Sequence, residues 1–322
     1  LRRQMFRVYQ ADIKTVDGFC ASLLREHIHL LEPVDGRCLT PDFRVLDEAE
    51  AQLLRERALE RTMETFYQDI ENGDEEAAQL AGTLGAGRDD KALTALVLEL
   101  HSKIQSHPYP EKWLRAAAGS WRQLPSSLAD SDYGRTVMED TVRRALFWAG
   151  QLERAVAAME DCEPVYKANA AQFLAAAAEL RRYEQASQEG WDAMGRVQPV
   201  LQRAGAVKNG ENDEAKAAAK AVREKYKKAK EEMTAPYLVT EREHLEDLQA
   251  AAPSMLALLR LTERFSQRYQ AEKVRRNAMD FSDQEHYAVT LLCGQDDEPT
   301  DLARQVSQRY QEIMVDEYQD TN

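Results

Sequence analysis

The strongest constraint on the fold is the series Leu93, Leu96, Val97, Leu100 and Ile104. Apolar side chains at i, i+3, i+4, i+7 and i+11 fall along one side of a 3.6-residue helix and on no single face of a strand. The same period recurs through most of the chain. Ala49, Leu53, Met63, Phe66, Tyr67 and Ile70 make one stripe, and Val142, Ala145, Leu146, Ala149, Leu152 and Val156 make another. Phe173, Leu174, Ala177 and Leu180 continue it, and Leu245, Leu248, Leu256, Leu259 and Phe265 form a later one. Only 14 Gly and 10 Pro among 322 residues interrupt these stripes. A mainly α fold follows. Helix starts are marked by Asp47-Glu48-Ala49-Glu50, which reads as a capping box, by Asp89 or Asp90, and by Asp280 or Ser282. Pro164 should end one helix, and Pro253 should kink or split the long stretch 238–269. Trp113 reads as a core anchor rather than a base-stacking platform.

Composition excludes several classes. The formal net charge of −14 rules out nucleic-acid binding through the whole surface, so such a role needs local basic patches. Two exist. Residues 208–230 carry Lys216, Lys220, Arg223, Lys225, Lys227, Lys228 and Lys230, with Lys220, Lys227 and Lys228 as candidate phosphate contacts. Lys273, Arg275 and Arg276 form the second. Cys20, Cys38, Cys162 and Cys293 are scattered, with no metal-ligand spacing and no disulfide framework, which fits a reducing cytoplasm. No apolar run has the length of a membrane span, and the start has no signal-peptide core. The first residue is Leu1 rather than Met, so a start inside a longer protein, or after processing, is expected.

Two short runs read as strands. Residues 11–16 alternate and then turn at Asp17-Gly18 into an amphipathic helix. Near the other end, Ile313-Met314-Val315 leads into Asp316 and Glu317. Adjacent carboxylates at the tip of a buried strand are costly without a compensating cation, which suggests Mg²⁺ with nucleotide phosphates. Residues 82–89 have the Gly spacing of a phosphate-binding loop, but Arg88-Asp89 stands where Lys-[Ser/Thr] is needed, so this reads as an ordinary loop.

Val315-Asp316-Glu317-Tyr318-Gln319-Asp320-Thr321-Asn322 resembles motif II, the Walker B element V-D-E-x-Q-D-T-N of UvrD/Rep-like superfamily 1 helicases. Thr15-Val16-Asp17-Gly18 resembles their motif Ib, with Asp17 where many relatives have His. Residues 41–50 (P-D-F-R-V-L-D-E-A-E), 108–114 (P-Y-P-E-K-W-L) and 280–283 (D-F-S-D) are similar to the AddA (RexA) helicase–nuclease group within that superfamily.

The resemblance implies a large helical bundle-like accessory domain, called 1B, inserted in a RecA-like α/β domain. Only short edge pieces of the latter, with one or two strands, would lie in this chain. Residues 1–31 and 277–322 would be those pieces and 32–276 the helical domain. Carried over by motif, Asp316 would hold Mg²⁺ through its water shell, Glu317 would be the catalytic base, and Gln319 would sense the nucleotide. Thr15 would touch single-stranded DNA phosphates. The implied whole is a bacterial, cytoplasmic, ATP-dependent 3′→5′ helicase and exonuclease that processes double-strand DNA ends with an AddB/RexB-type partner. With no Walker A element in it, this chain alone should bind neither ATP nor Mg²⁺ and should hydrolyse no ATP. Two other classes stay open from the residues: a UvrD-like helicase without a nuclease, and a non-catalytic helical interaction module.

Overall fold

The computed structural model describes residues 11–84, 90–207, 213–294 and 297–318. In chain order its helices are α1 (Val16–His27), α2 (Glu48–Glu71), α3 (Glu75–Thr83), α4 (Lys91–Ile104), α5 (Pro110–Arg122), α6 (Asp132–Ala157), α7 (Glu163–Glu189), α8 (Trp191–Arg196), α9 (Asp213–Thr234), α10 (Glu241–Arg275), α11 (Phe281–Leu292) and α12 (Asp301–Ser307). Among the described residues the strands are β1 (Arg44–Val45) and β2 (Ala278–Met279). They pair in parallel, Arg44 opposite Ala278 and Val45 opposite Met279. The mainly α expectation holds, but both strands lie elsewhere than the sequence suggested. Residues 11–15 are irregular and Val16 already begins α1. None of these helices is long and apolar enough to cross a membrane.

Short polar side chains set the helix starts by accepting from backbone amides that would otherwise lack partners. Thr15 accepts from Gly18 N at 3.1 Å, Asp47 from Glu50 N at 2.8 Å and Ser131 from Gly134 N at 2.9 Å. The box expected at Asp47 is half formed, because the Glu50 carboxylate pairs with Arg44 at 3.4 Å. A full box sits at Asp280, where each of Asp280 and Asp283 accepts from the other's amide at 2.9 Å. Pro164 does not end a helix; it occupies the first turn of α7, where its missing N–H costs nothing. α10 likewise runs through Pro253 unsplit.

Contacts divide the chain into two compact units, residues 1–122 with 252–322, and residues 123–251. In the first, Leu54, Ala58, Met63 and Phe66 of α2 meet Leu93 and Val97 of α4 and Leu258, Leu261 and Phe265 of α10. The buried stripe of α2 passes through Leu54, not Leu53, which is 49% exposed. Leu54, Ala58 and Thr62 continue the four-residue step up to Phe66, whereas Leu53 is rotated off it. The link from α10 into β2 turns on Asn277, which is left-handed at φ 47°. Its amide side chain accepts from Thr40 N at 2.9 Å, and its carbonyl accepts from Arg44 N at 2.9 Å, so the turn fixes the strand pairing. Leu24, Ile28, Phe43, Met279 and Leu291 close a small core under that pair.

The second unit is built on the helical hairpin α6–α7. Ala145, Ala149, Leu152 and Val156 bury against Phe173, Ala177, Leu180 and Tyr183. Small residues on α6 let the helices approach closely. Gly134 is required at the base of α6: a Cβ there would lie 2.0 Å from the Leu128 carbonyl oxygen. Trp191 is fully buried, with its indole N–H donating to Val239 O at 3.3 Å and its ring 4.7 Å from that of Tyr237.

Candidate functional site

The acidic motif lies in the first unit. Thr300 caps α12, accepting from Ala303 N at 3.1 Å, and the helix ends at Ser307. The residues that follow fasten onto the segment around α1. Arg309 grips Glu26 with both terminal nitrogens, at 2.9 and 2.7 Å. The Tyr310 hydroxyl donates to Asp12 at 3.0 Å, and its ring sits edge-on to Phe19 at 6.4 Å. Lys14 also pairs with Asp12 at 2.9 Å. Hydrogen bonds from Lys14 and Tyr310 hold the Asp12 carboxyl below its ordinary value. The approach to Asp316 and the approach to Thr15 are thereby tied together at the Asp12–Tyr310 bond, across a separation of 298 residues.

From Gln311 to Glu317 the chain is irregular. Ile313, Met314 and Val315 are 79%, 85% and 51% exposed, so the buried strand expected there is absent. A strand needs a neighbour's backbone ladder. Among the described residues the paired strands are β1 and β2, and neither reaches this run. Asp316 and Glu317 are exposed; the Glu317 amide donates to the Asp316 carboxylate at 3.0 Å, and Glu317 is left-handed at φ 52°. Gln319, and Asp320 to the end of the chain, lie outside the described residues. Two adjacent carboxylates suit Mg²⁺, which prefers one or two carboxylates with water and phosphate oxygens completing its octahedron. Among the described residues no three His, Cys, Asp or Glu side chains form a group that could hold a metal ion.

The basic candidates divide. On α9, Ala219, Tyr226 and Met233 face inward at seven-residue steps, and Lys220, Lys227 and Lys228 are exposed. Arg223 is turned inward: it donates to Asn169 at 2.9 Å and to Gln202 O at 2.7 Å, and stacks over Phe173 at 5.2 Å. Thr15 is exposed with its hydroxyl oxygen engaged in capping α1. The second basic cluster does not form a free patch. Arg275 and Arg276 both pair with Glu272, at 3.2 and 2.7 Å. Lys273 is 3% exposed and lies 2.9 Å from Asp280 and 2.6 Å from Asp283.

That buried network was not anticipated. Lys273 also sits 4.1 Å over the Tyr269 ring, and the Tyr269 hydroxyl donates to Asp280 at 2.9 Å. Burial opposes the charge on Asp280, but the Lys273 ammonium and its hydrogen bond outweigh it and keep this carboxyl low. Burial pushes Asp283 the other way, up. His101 packs against Phe265 and Tyr269, at 5.0 and 6.0 Å, and burial with the nearby Lys273 charge lowers it to about 4. The signal available in sequence was the seven-residue spacing from Lys273 to the Asp280-Phe281-Ser282-Asp283 box. Trp113, expected as a core anchor, is half-buried beside the Ile104, Leu114 and Leu259 core, with His107 stacked on it at 5.5 Å.

Residues 2–322 match the family described as UvrD/REP helicase N-terminal domain. Along its full length the chain is similar to proteins named as ATP-dependent helicase/nuclease subunits. It is 29% identical to that of Lachnoclostridium phytofermentans over 353 residues, 24% of that protein. It is 30% identical to that of Lysinibacillus sphaericus over 335 residues and 31% identical to that of Desulforamulus reducens over 349, in each case 26% of the relative. The chain thus spans about a quarter of the length of the curated relatives it matches. With the family match running over all but the first residue, and the motif at 315–322 inside it, the chain belongs to the UvrD/REP helicase N-terminal domain family.

Proposed function

We propose that this chain is the part of an ATP-dependent 3′→5′ DNA helicase and nuclease that runs from its motif Ib-like segment to motif II. The whole protein would process double-strand DNA ends for recombinational repair in the bacterial cytoplasm, with an AddB/RexB-type partner. The observation that carries this is the unbroken string Val315-Asp316-Glu317-Tyr318-Gln319-Asp320-Thr321-Asn322 within a full-length match to relatives named as helicase/nuclease subunits. Residues 1–31 and 277–322 are read as edges of a RecA-like domain and 32–276 as its helical 1B insertion. The tie between Tyr310 and Asp12 supports grouping the two ends.

In this reading Asp316 would hold Mg²⁺, and Glu317 would take the proton of the attacking water. Gln319 relays nucleotide state. A bound Mg²⁺–ATP supplies the electrophilic phosphorus and its charge neutralisation. Hydrolysis further needs a phosphate-binding Lys and arginine fingers; residues 82–89 lack that Lys, so this chain alone should not turn over ATP. Thr15 and the exposed Lys220, Lys227 and Lys228 are the proposed DNA contacts.

The test is Glu317→Gln in the full-length protein. Nucleotide binding should persist while DNA-stimulated ATP turnover falls by about 10²–10⁴-fold, the usual worth of a positioned base. Turnover within a few-fold of wild type would overturn the assignment.

A further inference from the structure

Between α2 and α10, within the first unit, lies a polar groove of about 390 Å³. Arg61, Arg268 and Arg275 line it together with Glu64, Glu272 and Gln68. Three guanidiniums against two carboxylates leave an excess of one positive charge. Glu272 is shared by three guanidiniums, Arg61 at 2.8 Å, Arg276 at 2.7 Å and Arg275 at 3.2 Å, and Arg275 also pairs with Asp35 at 3.2 Å. One turn up α10, Arg264 pairs with Asp69 at 2.5 Å, and Arg260 pairs with Asp74 and Glu76.

Arg268 differs from these. Among the described residues it has no carboxylate partner; it donates to the Arg61 carbonyl and to the Thr65 hydroxyl, the latter at 2.7 Å. Both acceptors are neutral, and only two of its five N–H donors are used. It is half-buried, and burial, then Arg264 and Arg61, lower its proton affinity against the smaller opposing pull of Asp69 and Glu64. A half-buried guanidinium held in place by neutral acceptors and crowded by other guanidiniums is stabilised by an added anion.

We infer that the α2–α10 groove, with Arg268 as its anchor and Arg61 and Arg275 on its walls, binds one phosphodiester of a nucleic-acid strand. The single excess charge matches the single negative charge of a phosphodiester better than the multiple charges of a free nucleotide. Planar guanidiniums suit its two non-bridging oxygens. The inference rests on the proposal that the chain works on DNA, and it adds a contact separate from Thr15 and from the lysines of α9.

The experiment measures binding of labelled oligodeoxythymidylate to the chain between roughly 50 and 200 mM NaCl, a range over which phosphate contacts report strongly. Arg268→Gln should weaken binding several-fold and reduce the slope of log K against log salt by about 0.7, the value for one single-strand phosphate contact. Arg268→Lys should keep most of the slope. Because Arg268 also bonds α2, Gln68→Glu serves as the second variant: it adds a negative charge to the groove and should flatten the slope by a similar amount. An unchanged slope in Arg268→Gln and Gln68→Glu, with wild-type binding intact, overturns the groove and leaves the helicase reading standing. No binding by the wild-type chain overturns both. Displacement of the strand by inorganic phosphate beyond that caused by chloride at equal ionic strength would assign the groove to free phosphate and overturn the strand contact.

Discussion

The chain carries two acidic pairs, each behind a short apolar run, and their surroundings are opposite. Asp280 and Asp283 follow Ala278 and Met279, both fully buried in β2. Asp316 and Glu317 follow Ile313, Met314 and Val315, all exposed. In the first pair the compensating cation is the chain's own Lys273, and the carboxylates accept from each other's amides. In the second pair the Glu317 amide donates to Asp316, and both side chains face solvent. An acidic pair after an apolar run therefore has two meanings. Where the fold buries it against a lysine it is architecture, and where it stands in solvent it can meet a cation from outside.

The sharpest way to break this comparison is Lys273→Met. Removing one partner of a buried ion pair strands the other, which typically costs 3–5 kcal/mol. Two carboxylates lose their cation here, so denaturant unfolding should show a loss of about that size. Adding Asp283→Asn should recover part of it, because the doubly mutated site holds one fewer uncompensated charge. A Lys273→Met protein as stable as wild type would place the network outside the folding energetics and dissolve the contrast.

A smaller effect comes from His101, which borders the same network. Its folded value of about 4 lies below the ordinary 6.5, chiefly through burial. Between those values the unfolded chain binds more protons than the folded one. The contribution is therefore complete above pH 6.5 and is lost as pH falls toward 4. The loss amounts to about 1.4 kcal/mol per pH unit within that window, or about 2 kcal/mol by pH 5. Asp283 acts in the opposite sense, since a raised carboxyl favours the folded state at low pH and loses that as pH rises. The difference between wild type and His101→Gln isolates the histidine term: the two stabilities should converge as pH drops from 6.5 to 5, and parallel curves would show that His101 does not titrate as described.

Helices were readable because their signal is local. The stripes of α4 and α6 and the Asp280 cap need only neighbours three or four residues away. The stripe of α2 slipped by one residue because Leu53 and Leu54 are adjacent and equally apolar, and only packing against Phe265 and Val97 decides between them. Strands were not readable: β1 and β2 are two residues each and are defined by a partner more than two hundred residues away. Along the sequence Lys273 groups with Arg275 and Arg276 as a basic patch, because charge counts ignore which side chains turn inward. The motif at 315–322 was plain as a string, since eight residue types in order need no geometry. What the structure adds to it is the anchoring through Arg309 and Tyr310.

The smallest expected effect is also the most diagnostic for the terminal pair. Asp316→Asn and Glu317→Gln change exposed side chains and bury no new group. Substitutions of this kind usually stay within about 0.5 kcal/mol, so the thermal midpoint of this chain should not move measurably. Glu317 already adopts a left-handed backbone at φ 52°, and Gln meets the same steric constraint as Glu, so that term cancels in the comparison. A clear loss of stability in either variant would mean that the pair is held by the fold in the manner of Asp280 and Asp283. A silent melt combined with lost ATP turnover in the full-length protein would separate the two acidic pairs, one serving folding and the other the chemistry proposed for the full-length protein.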